Sequence, residues 1–170
     1  MTRAVVALGA NLGDRLGALQ AAVDGLAVDA DTEVLAVSAV YETAPVGGPE
    51  QPDYLNAVVL VETTLEPGAL LALGQALELA AGRTRGQRWG PRPLDVDLIT
   101  YGGLVSADPT LSLPHPRAAE RAFVLQPWLD VDVGAHLAGH GSVRDLLEQA
   151  DSEGVRRLAD VRLRLPAAPR

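Results

Sequence analysis

The segment RWGPRPLDVDLITYG, residues 88–102, joins a Gly- and Pro-rich loop to an alternating run. Residues 94–98 alternate apolar and acidic side chains, which is typical of a strand with one buried face. Because side chains repeat every two residues along a strand, Asp95 and Asp97 extend from the same face while their apolar neighbours turn into the core. We therefore expect a strand that carries two carboxylates, with Cα atoms about 6.5–7 Å apart.

The elements upstream of this strand give the order β-α-β-β-α. They are a strand over 3–8, a helix capped by Asp14 that ends near Leu26, strands over 33–43 and 54–64, and a helix from Pro67 to Gly82. With the strand after Leu94, the order becomes βαββαβ, which is that of the ferredoxin-like unit, an antiparallel four-stranded sheet with two helices on one face. The sequence therefore predicts an α+β fold with this core and C-terminal additions.

Local signals also predict elements in the C-terminal additions. We expect a short helix over 117–126, and a second helix from Ser142, where Ser142 and Asp145 resemble a capping box. Residues 160–165 alternate and favour a last strand. We expect one domain over residues 1–165 and a flexible tail over 166–170.

The composition limits the classes of function. The 170 residues carry a net charge of −8, which argues against a surface that binds nucleic acid or an anionic membrane. The chain has no cysteine and no lysine, so thiolate metal sites, disulfides and a P-loop lysine are excluded. The N-terminal apolar run is too short for a signal peptide, and no run approaches a membrane span. We expect a cytoplasmic protein that is a monomer.

An arginine-rich loop precedes the two acids. No acidic residue lies between Glu78 and Asp95. The basic residues of this interval are Arg83, Arg85, Arg88 and Arg92. Guanidinium groups bind phosphate directly, whereas carboxylates bind it through a metal ion, and oxygen ligands without cysteine suit Mg²⁺. Together they favour a magnesium-polyphosphate site over the alternatives of a solvated basic loop and a solvated acidic face.

Two further segments supply candidate ligand contacts. His115 lies between two prolines, which favours a fixed loop position from which its ring can hydrogen-bond a phosphate or ribose. Tyr54 and Phe123 are suited to clamp a flat heterocycle, and Asn56 to read its edge. Completion of the core is the alternative for these residues. Gly9, Gly13 and Gly17 lie at four-residue intervals, and we assign them to a strand-to-helix turn rather than to a nucleotide fingerprint.

With those residues in view, the chain resembles the 6-hydroxymethyl-7,8-dihydropterin pyrophosphokinase family from residue 4 to about 150. RWGPRPLDVDL is close to the signature of that family. The other matching segments are LGANLGD (8–14), VYETAPVG (40–47), QPDYLNAV (51–58), the residues from Glu78 to Ile99, and LPHPRAAERAFVLQP (113–127).

The resemblance implies transfer of pyrophosphate from ATP to the hydroxymethyl group of the dihydropterin, with release of AMP. It implies that Asp95 and Asp97 hold two Mg²⁺ ions and that Arg83 and Arg92 are catalytic. The residues that the resemblance implies for ATP binding are Gln75, Glu78, Arg85, Arg88, Trp89, Arg92, Leu98, Ser112, His115 and Arg121. The residues that it implies for pterin binding are Thr43, Val46, Tyr54, Asn56, Trp89 and Phe123.

Thr110, Pro116 and Ala119 depart from the family pattern on the adenine side, and no general base stands out, although Asp97 is a candidate. A non-catalytic ferredoxin-like ligand-binding module and a Mg²⁺-dependent phosphotransferase for another alcohol are the alternative functions.

Overall fold

The protein is represented by a computed structural model, which describes residues 1–45, 50–82 and 92–166. The strands are β1 (Thr2–Ala10), β2 (Thr32–Val37), β3 (Tyr41–Thr43), β4 (Tyr54–Thr63), β5 (Asp95–Tyr101), β6 (Ser106–Asp108), β7 (Leu111–Leu113), β8 (His136–Leu137), β9 (Gly141–Ser142) and β10 (Arg156–Arg157). The helices are α1 (Arg15–Val28), α2 (Pro67–Ala80), α3 (Ala122–Val131) and α4 (Val143–Gln149), with a 3-10 turn at Ala118–Glu120. None of the helices described is long and apolar enough to cross a membrane.

The main sheet has the order β10-β3-β4-β1-β5, with β2 also paired to β4, and every pairing in it is antiparallel. Strand β1 lies between β4 and β5, so its residues face one strand on each side. Gly9, for example, pairs with Asn56 of β4 and with Asp95 of β5. The predicted βαββαβ core is confirmed, and the register brings the ends of three strands together.

Helices cover both faces of the sheet. Alternate residues of β1 face opposite sides: Val6 and Leu8 pack with α1 and α2, whereas Val5 and Ala7 pack with α3 and α4. The two helices predicted on one face are α1 and α2. The second layer consists of α3 and α4, and its buried centre includes Trp128.

Local signals in the sequence explain where the helices begin. The carboxylate of Asp14 accepts a hydrogen bond from Gly17 N at 3.0 Å, and the hydroxyl of Ser142 accepts one from Asp145 N at 3.1 Å. Pro67 occupies the first turn of α2, where a missing N–H has no cost. The three predicted starts are confirmed.

Three predicted elements need correction. The strand expected over 33–43 is split into β2 and β3, because the Ser38 hydroxyl accepts a hydrogen bond from Val58 N at 2.8 Å and donates to Ala39 O at 2.7 Å. The helix expected over 117–126 begins only at Ala122, because Arg121 is extended (φ −103°, ψ 99°) and separates the 3-10 turn from α3.

The strand predicted over 160–165 is the third correction, since this stretch forms none. The edge of the sheet is instead taken by β10, in which Arg156 pairs with Glu42, and Leu158 N donates to Val40 O at 2.9 Å. Downstream, Val161 and Leu163 pack against the core on the α1 side. The alternation of this stretch therefore reflects packing of every second side chain and not a sheet ladder.

Candidate active site

A cavity of about 700 Å³ opens where β1, β3, β4 and β5 meet the 3-10 turn and α3. The candidates that line it are Thr43, Tyr54, Asn56, Arg92, Asp95, Asp97, His115, Arg121 and Phe123. The structure therefore brings together, around one space, residues from four segments that are far apart in the sequence.

The two carboxylates of β5 extend into this cavity as the alternation predicts. Asp95 and Asp97 pair with Gly9 and Ala7 of β1. Because glycine has no side chain and alanine has only a methyl group, these positions leave space above the sheet. Leu94, Val96 and Leu98 are buried on the opposite face. Arg92 Nη1 lies 3.8 Å from Asp95 Oδ1, so one guanidinium of the arginine-rich segment reaches the acidic pair.

The carboxylate pair offers oxygen ligands of the kind that Mg²⁺ prefers. Within residues 1–45, 50–82 and 92–166, no group of three or more His, Asp or Glu side chains is placed to hold a metal ion. Mg²⁺ is usually held by one or two carboxylates, and substrate phosphates and water complete its six ligands. Asp95 and Asp97 are therefore suited to a magnesium ion that arrives with a polyphosphate.

His115 borders the cavity from the loop between β7 and the 3-10 turn. Its backbone N donates to Ile99 O at 2.8 Å, and its Nδ1 accepts a hydrogen bond from Arg117 N at 3.2 Å. Burial lowers the pKa of His115; the nearby Asp97 charge opposes this shift, while Arg121 and Arg117 add to it. A neutral ring with Nδ1 as acceptor carries its proton on Nε2, which can donate to a phosphate or ribose oxygen.

Arg121 and Phe123 form the wall next to His115. The Arg121 guanidinium carbon lies 5.5 Å from the centre of the Phe123 ring, within the range of a cation–π contact. Burial lowers the pKa of Arg121, with the charge of Asp97 opposing, but an arginine remains charged near neutral pH. This wall thus presents a positive charge and an aromatic ring to the same cavity.

The opposite wall carries polar side chains held in place by each other. Asn56 is 5% exposed and its Nδ2 donates to Thr43 Oγ1 at 2.7 Å, which joins β4 to β3. A Cβ atom at Gly9 would lie 3.1 Å from Asn56 Oδ1 and 3.6 Å from the Tyr54 ring. Gly9 therefore lets Asn56 and Tyr54 approach the β1 backbone. The assignment to a strand-to-helix turn is wrong for Gly9, which lies within β1, and for Gly17, which lies within α1, whereas Gly13 (φ 69°) does lie between the two elements.

Other lining residues were missed from the sequence. Gln51 lies on the loop before β4, and Glu120 belongs to the 3-10 turn. Asp151, Glu153 and Val155 come from the segment after α4 and also border the cavity. The motif QPDYLN gave a signal for Gln51, whereas nothing local in the sequence indicates that residues 151–155 fold back to this place.

Several predicted ATP positions lie away from the cavity. Gln75 is exposed on α2, Leu98 is in the apolar core, and the Ser112 hydroxyl donates to Asp108 O at 3.1 Å. Glu78 is 7% exposed, and its carboxylate accepts a hydrogen bond from Val96 N at 3.0 Å. None of these four is among the described residues that line the cavity. Five further candidates fall outside the described residues: Val46, Arg83, Arg85, Arg88 and Trp89.

The chain has clear relatives among known proteins. A sequence model described as 7,8-dihydro-6-hydroxymethylpterin-pyrophosphokinase matches residues 5–133. The chain is 47% identical to 2-amino-4-hydroxy-6-hydroxymethyldihydropteridine pyrophosphokinase of Mycobacterium leprae, with 99% of this chain and 97% of the relative covered. It is 41% identical to the protein of the same name from Methylorubrum extorquens, with 93% of this chain and 99% of the relative covered.

Solved structures share the fold. A wild-type Plasmodium falciparum HPPK-DHPS with SDX-DHP has a TM-score of 0.63 at 13% identity, over 92% of this chain and 47% of that one. A further HPPK-DHPS in complex with substrates has a TM-score of 0.70 at 11% identity, over 92% of this chain and 46% of that one. The chain thus spans about half the length of these structures.

The family match covers β1 through α3, which supply both carboxylates and both walls of the cavity. The matched relatives are similar over almost their whole length. The chain therefore belongs to the 7,8-dihydro-6-hydroxymethylpterin-pyrophosphokinase family.

Proposed function

We propose that this chain transfers pyrophosphate from ATP to the hydroxymethyl group of 6-hydroxymethyl-7,8-dihydropterin, a step of folate biosynthesis. The family and the names of its relatives support a pyrophosphokinase that acts on this pterin. The observation that carries the proposal is the cavity that Asp95, Asp97 and Arg92 share with Asn56 on one wall and Phe123 on the other.

The two parts of the cavity suit the two substrates. The carboxylate pair, Arg92 and Arg121 offer oxygen ligands and guanidinium groups for a polyphosphate. Asn56 offers an amide at the edge of a flat ring, and Phe123 offers a face on which the ring can stack. The cavity of about 700 Å³ lies within the usual range for ligand sites, which supports simultaneous binding of the pterin and the phosphate chain.

The proposed reaction is a single displacement at the β-phosphorus of ATP. The hydroxymethyl oxygen attacks the β-phosphorus, the bond from that phosphorus to the oxygen bridging to the α-phosphorus breaks, and AMP leaves with that oxygen. Arg92 and Arg121 orient the phosphates and offset their charge, while Asn56 and Thr43 hold the pterin so that its hydroxymethyl arm faces the phosphates. The hydroxyl proton passes to Asp97 or to solvent.

Asp95 and Asp97 are proposed to hold two Mg²⁺ ions along the triphosphate. When bound, Mg²⁺ polarises the phosphoryl oxygens and neutralises charge on the leaving phosphate. The neutral His115 ring donates from Nε2 to an ATP oxygen and so helps to orient the nucleotide. The expected roles of Gln75, Glu78, Leu98 and Ser112 toward ATP stay predictions, as do a monomeric state, a cytoplasmic location and one domain over 1–165.

An assay that measures nucleotide products directly tests the proposal. The protein is incubated with ATP, Mg²⁺ and the pterin alcohol, and the nucleotides are separated by chromatography. We expect AMP to form in step with consumption of the alcohol and to stop when the alcohol is omitted. Formation of ADP alone, or AMP formation that does not depend on the alcohol, would defeat the proposal.

A further inference from the structure

The C-terminal segment, residues 151–164, borders the cavity although it lies beyond the family match, which ends at residue 133. Asp151, Glu153 and Val155 line the cavity, and the proposed chemistry gives none of them a role. The two acids are exposed, whereas Val155 is partly buried. An apolar side chain at a cavity wall offers a surface that a ligand can cover.

A tight turn brings Val155 to this place. Asp151 Oδ1 accepts a hydrogen bond from Glu153 N at 3.0 Å. Val155 N donates to Ser152 O at 3.1 Å, which closes the turn. Gly154 lies within it at φ 78°, in the left-handed region that favours glycine. The turn therefore ends at Val155, directly before β10.

The register of β10 places Val155 in a row with two residues of the cavity wall. Arg156 of β10 lies opposite Glu42 of β3 in an antiparallel pairing. One residue further along, the same register brings Val155 opposite Thr43, which itself pairs with Tyr54 of β4. Opposed side chains of antiparallel strands share a face of the sheet. Val155 thus extends the row of Tyr54 and Thr43, and all three line the cavity.

Contacts next to Val155 fix the segment to the sheet. Arg156 forms an ion pair with Glu42, whose carboxylate also accepts a hydrogen bond from Arg15 Nη1 at 3.1 Å. Two residues later, Leu158 N donates to Val40 O at 2.9 Å. Val155 is therefore held in place before a ligand arrives, so contact with it costs little ordering.

We propose that Val155 is a substrate-contact residue that completes the pterin part of the cavity beside Thr43 and Tyr54. Its branched side chain offers apolar contact and no hydrogen bond, which suits the face or edge of a flat heterocycle and not a phosphate. The exposed acids Asp151 and Glu153 at the same rim disfavour an anionic group there. This inference rests on the proposed function, which supplies the pterin as the ligand.

Calorimetry measures the contact. The dissociation constant of the pterin alcohol is determined with Mg²⁺ and saturating α,β-methylene-ATP, and that of the nucleotide analogue with Mg²⁺ alone. In Val155→Ala, which loses two methyl groups, we expect pterin binding to weaken about fivefold. In Val155→Asp, which sets a charge beside the ring, we expect it to weaken roughly tenfold or more. The affinity for the nucleotide analogue should stay within about twofold of the wild type in Val155→Ala, because the contact is with the pterin.

Val161 provides a matched control in the same segment. It packs against the core on the α1 side and is not among the described residues that line the cavity. Val161→Ala removes the same two methyl groups, so we expect a lower melting temperature and an unchanged affinity for the pterin alcohol.

The outcomes are distinct. A wild type that makes AMP, with Val155→Ala and Val155→Asp variants that bind the pterin as tightly as it does, would overturn the inference and leave the proposed function intact. An equal loss of pterin affinity in Val161→Ala, or an equal loss of nucleotide affinity in Val155→Ala, would also overturn it, because the effect would then be one of general stability. A wild type that makes no AMP would sink the proposed function, and this inference with it.

Discussion

The carboxylate of Glu78 accepts a hydrogen bond from the backbone N–H of Val96 at 3.0 Å, and Val96 lies between Asp95 and Asp97. Among the strands of the described residues, β5 is the last on its side of the main sheet, so none of them accepts a hydrogen bond from Val96 N–H on that side. Helix α2 supplies the acceptor instead. The position of Asp95 and Asp97 therefore depends on Glu78, a buried acid of α2 that is not among the described residues lining the cavity.

Replacement of Glu78 tests this dependence. Glu78→Leu leaves Val96 N–H buried without this acceptor, and we expect the free energy of unfolding to fall by about 1–3 kcal/mol. Glu78→Gln keeps an oxygen acceptor, and we expect a smaller loss. Urea unfolding followed by circular dichroism measures both.

A different outcome would support a direct contact between Glu78 and ATP. Unchanged stability in Glu78→Leu, with a raised KM for ATP, would show that the carboxylate acts on the nucleotide and not on β5. The mutant kinetics therefore separate the role implied by the family resemblance from the role implied by the hydrogen bond.

Removal of one carboxylate of the pair should lower activity and leave stability nearly unchanged. Asp97→Asn keeps the size of the side chain but removes a charged ligand, and we expect kcat/KM to fall more than about 100-fold, since charge stabilisation by Mg²⁺ is worth several kcal/mol. We expect a melting temperature within a few degrees of the wild type, because Asp97 faces the cavity. Steady-state AMP formation and differential scanning calorimetry provide the two readouts.

Asp160 offers a matched control for this substitution. It is exposed and lies in the segment that follows β10. Asp160→Asn makes the same change of charge, and its turnover should equal that of the wild type. Comparable losses in both variants would show that net charge, and not the carboxylate pair, governs the rate.

The close approach of Gly9 to Asn56 predicts an effect on the pterin alone. In Gly9→Ala the new Cβ lies 3.1 Å from Asn56 Oδ1, so the amide must shift. We expect the KM for the pterin to rise about tenfold, which corresponds to ~1.4 kcal/mol or roughly one hydrogen bond. The KM for ATP should change little, and initial rates with each substrate varied in turn measure both constants.

Gly68 provides the control for the added methyl group. No atom of the described residues lies within 4 Å of a Cβ placed there, and the residue lies in the first turn of α2. Gly68→Ala should leave both KM values unchanged. An equal rise of the pterin KM in both variants would mean that Gly9 has no special relation to Asn56.

The surroundings of His115 predict a lowered pKa and a contribution to stability that depends on pH. Its pKa should lie below the ordinary value of about 6.5, because burial disfavours the charged ring more than Asp97 favours it. The unfolded chain then binds a proton more readily than the folded one. The contribution of this group to stability is therefore present in full above about pH 6.5 and is lost as the pH falls toward the folded pKa.

Proton NMR of the histidine ring measures this pKa. His115→Gln identifies the signal, because it removes one of the three histidine resonances. A titration midpoint above 6.5 for the assigned signal would show that Asp97 dominates over burial, and the neutral-ring role of His115 would then be wrong.

The sequence predicted the parts of the fold that depend on local patterns. The alternation around Asp95 and the cap at Asp14 are properties of a few neighbouring residues, and the structure has both. The break at Ser38 was not predictable in the same way, because it depends on a hydrogen bond to Val58 in another strand. Likewise, the role of Gly9 depends on its register with Asn56, which no spacing along the chain reveals.

Attack of the hydroxymethyl oxygen on the β-phosphorus of ATP is the step on which the proposed function depends. The most direct test uses the pterin alcohol labelled with ¹⁸O in its hydroxyl group, with mass spectrometry and phosphorus NMR of the products. We expect a pterin diphosphate that retains the label and an unlabelled AMP. A pterin monophosphate with ADP, or a pterin adenylate with free pyrophosphate, would contradict it.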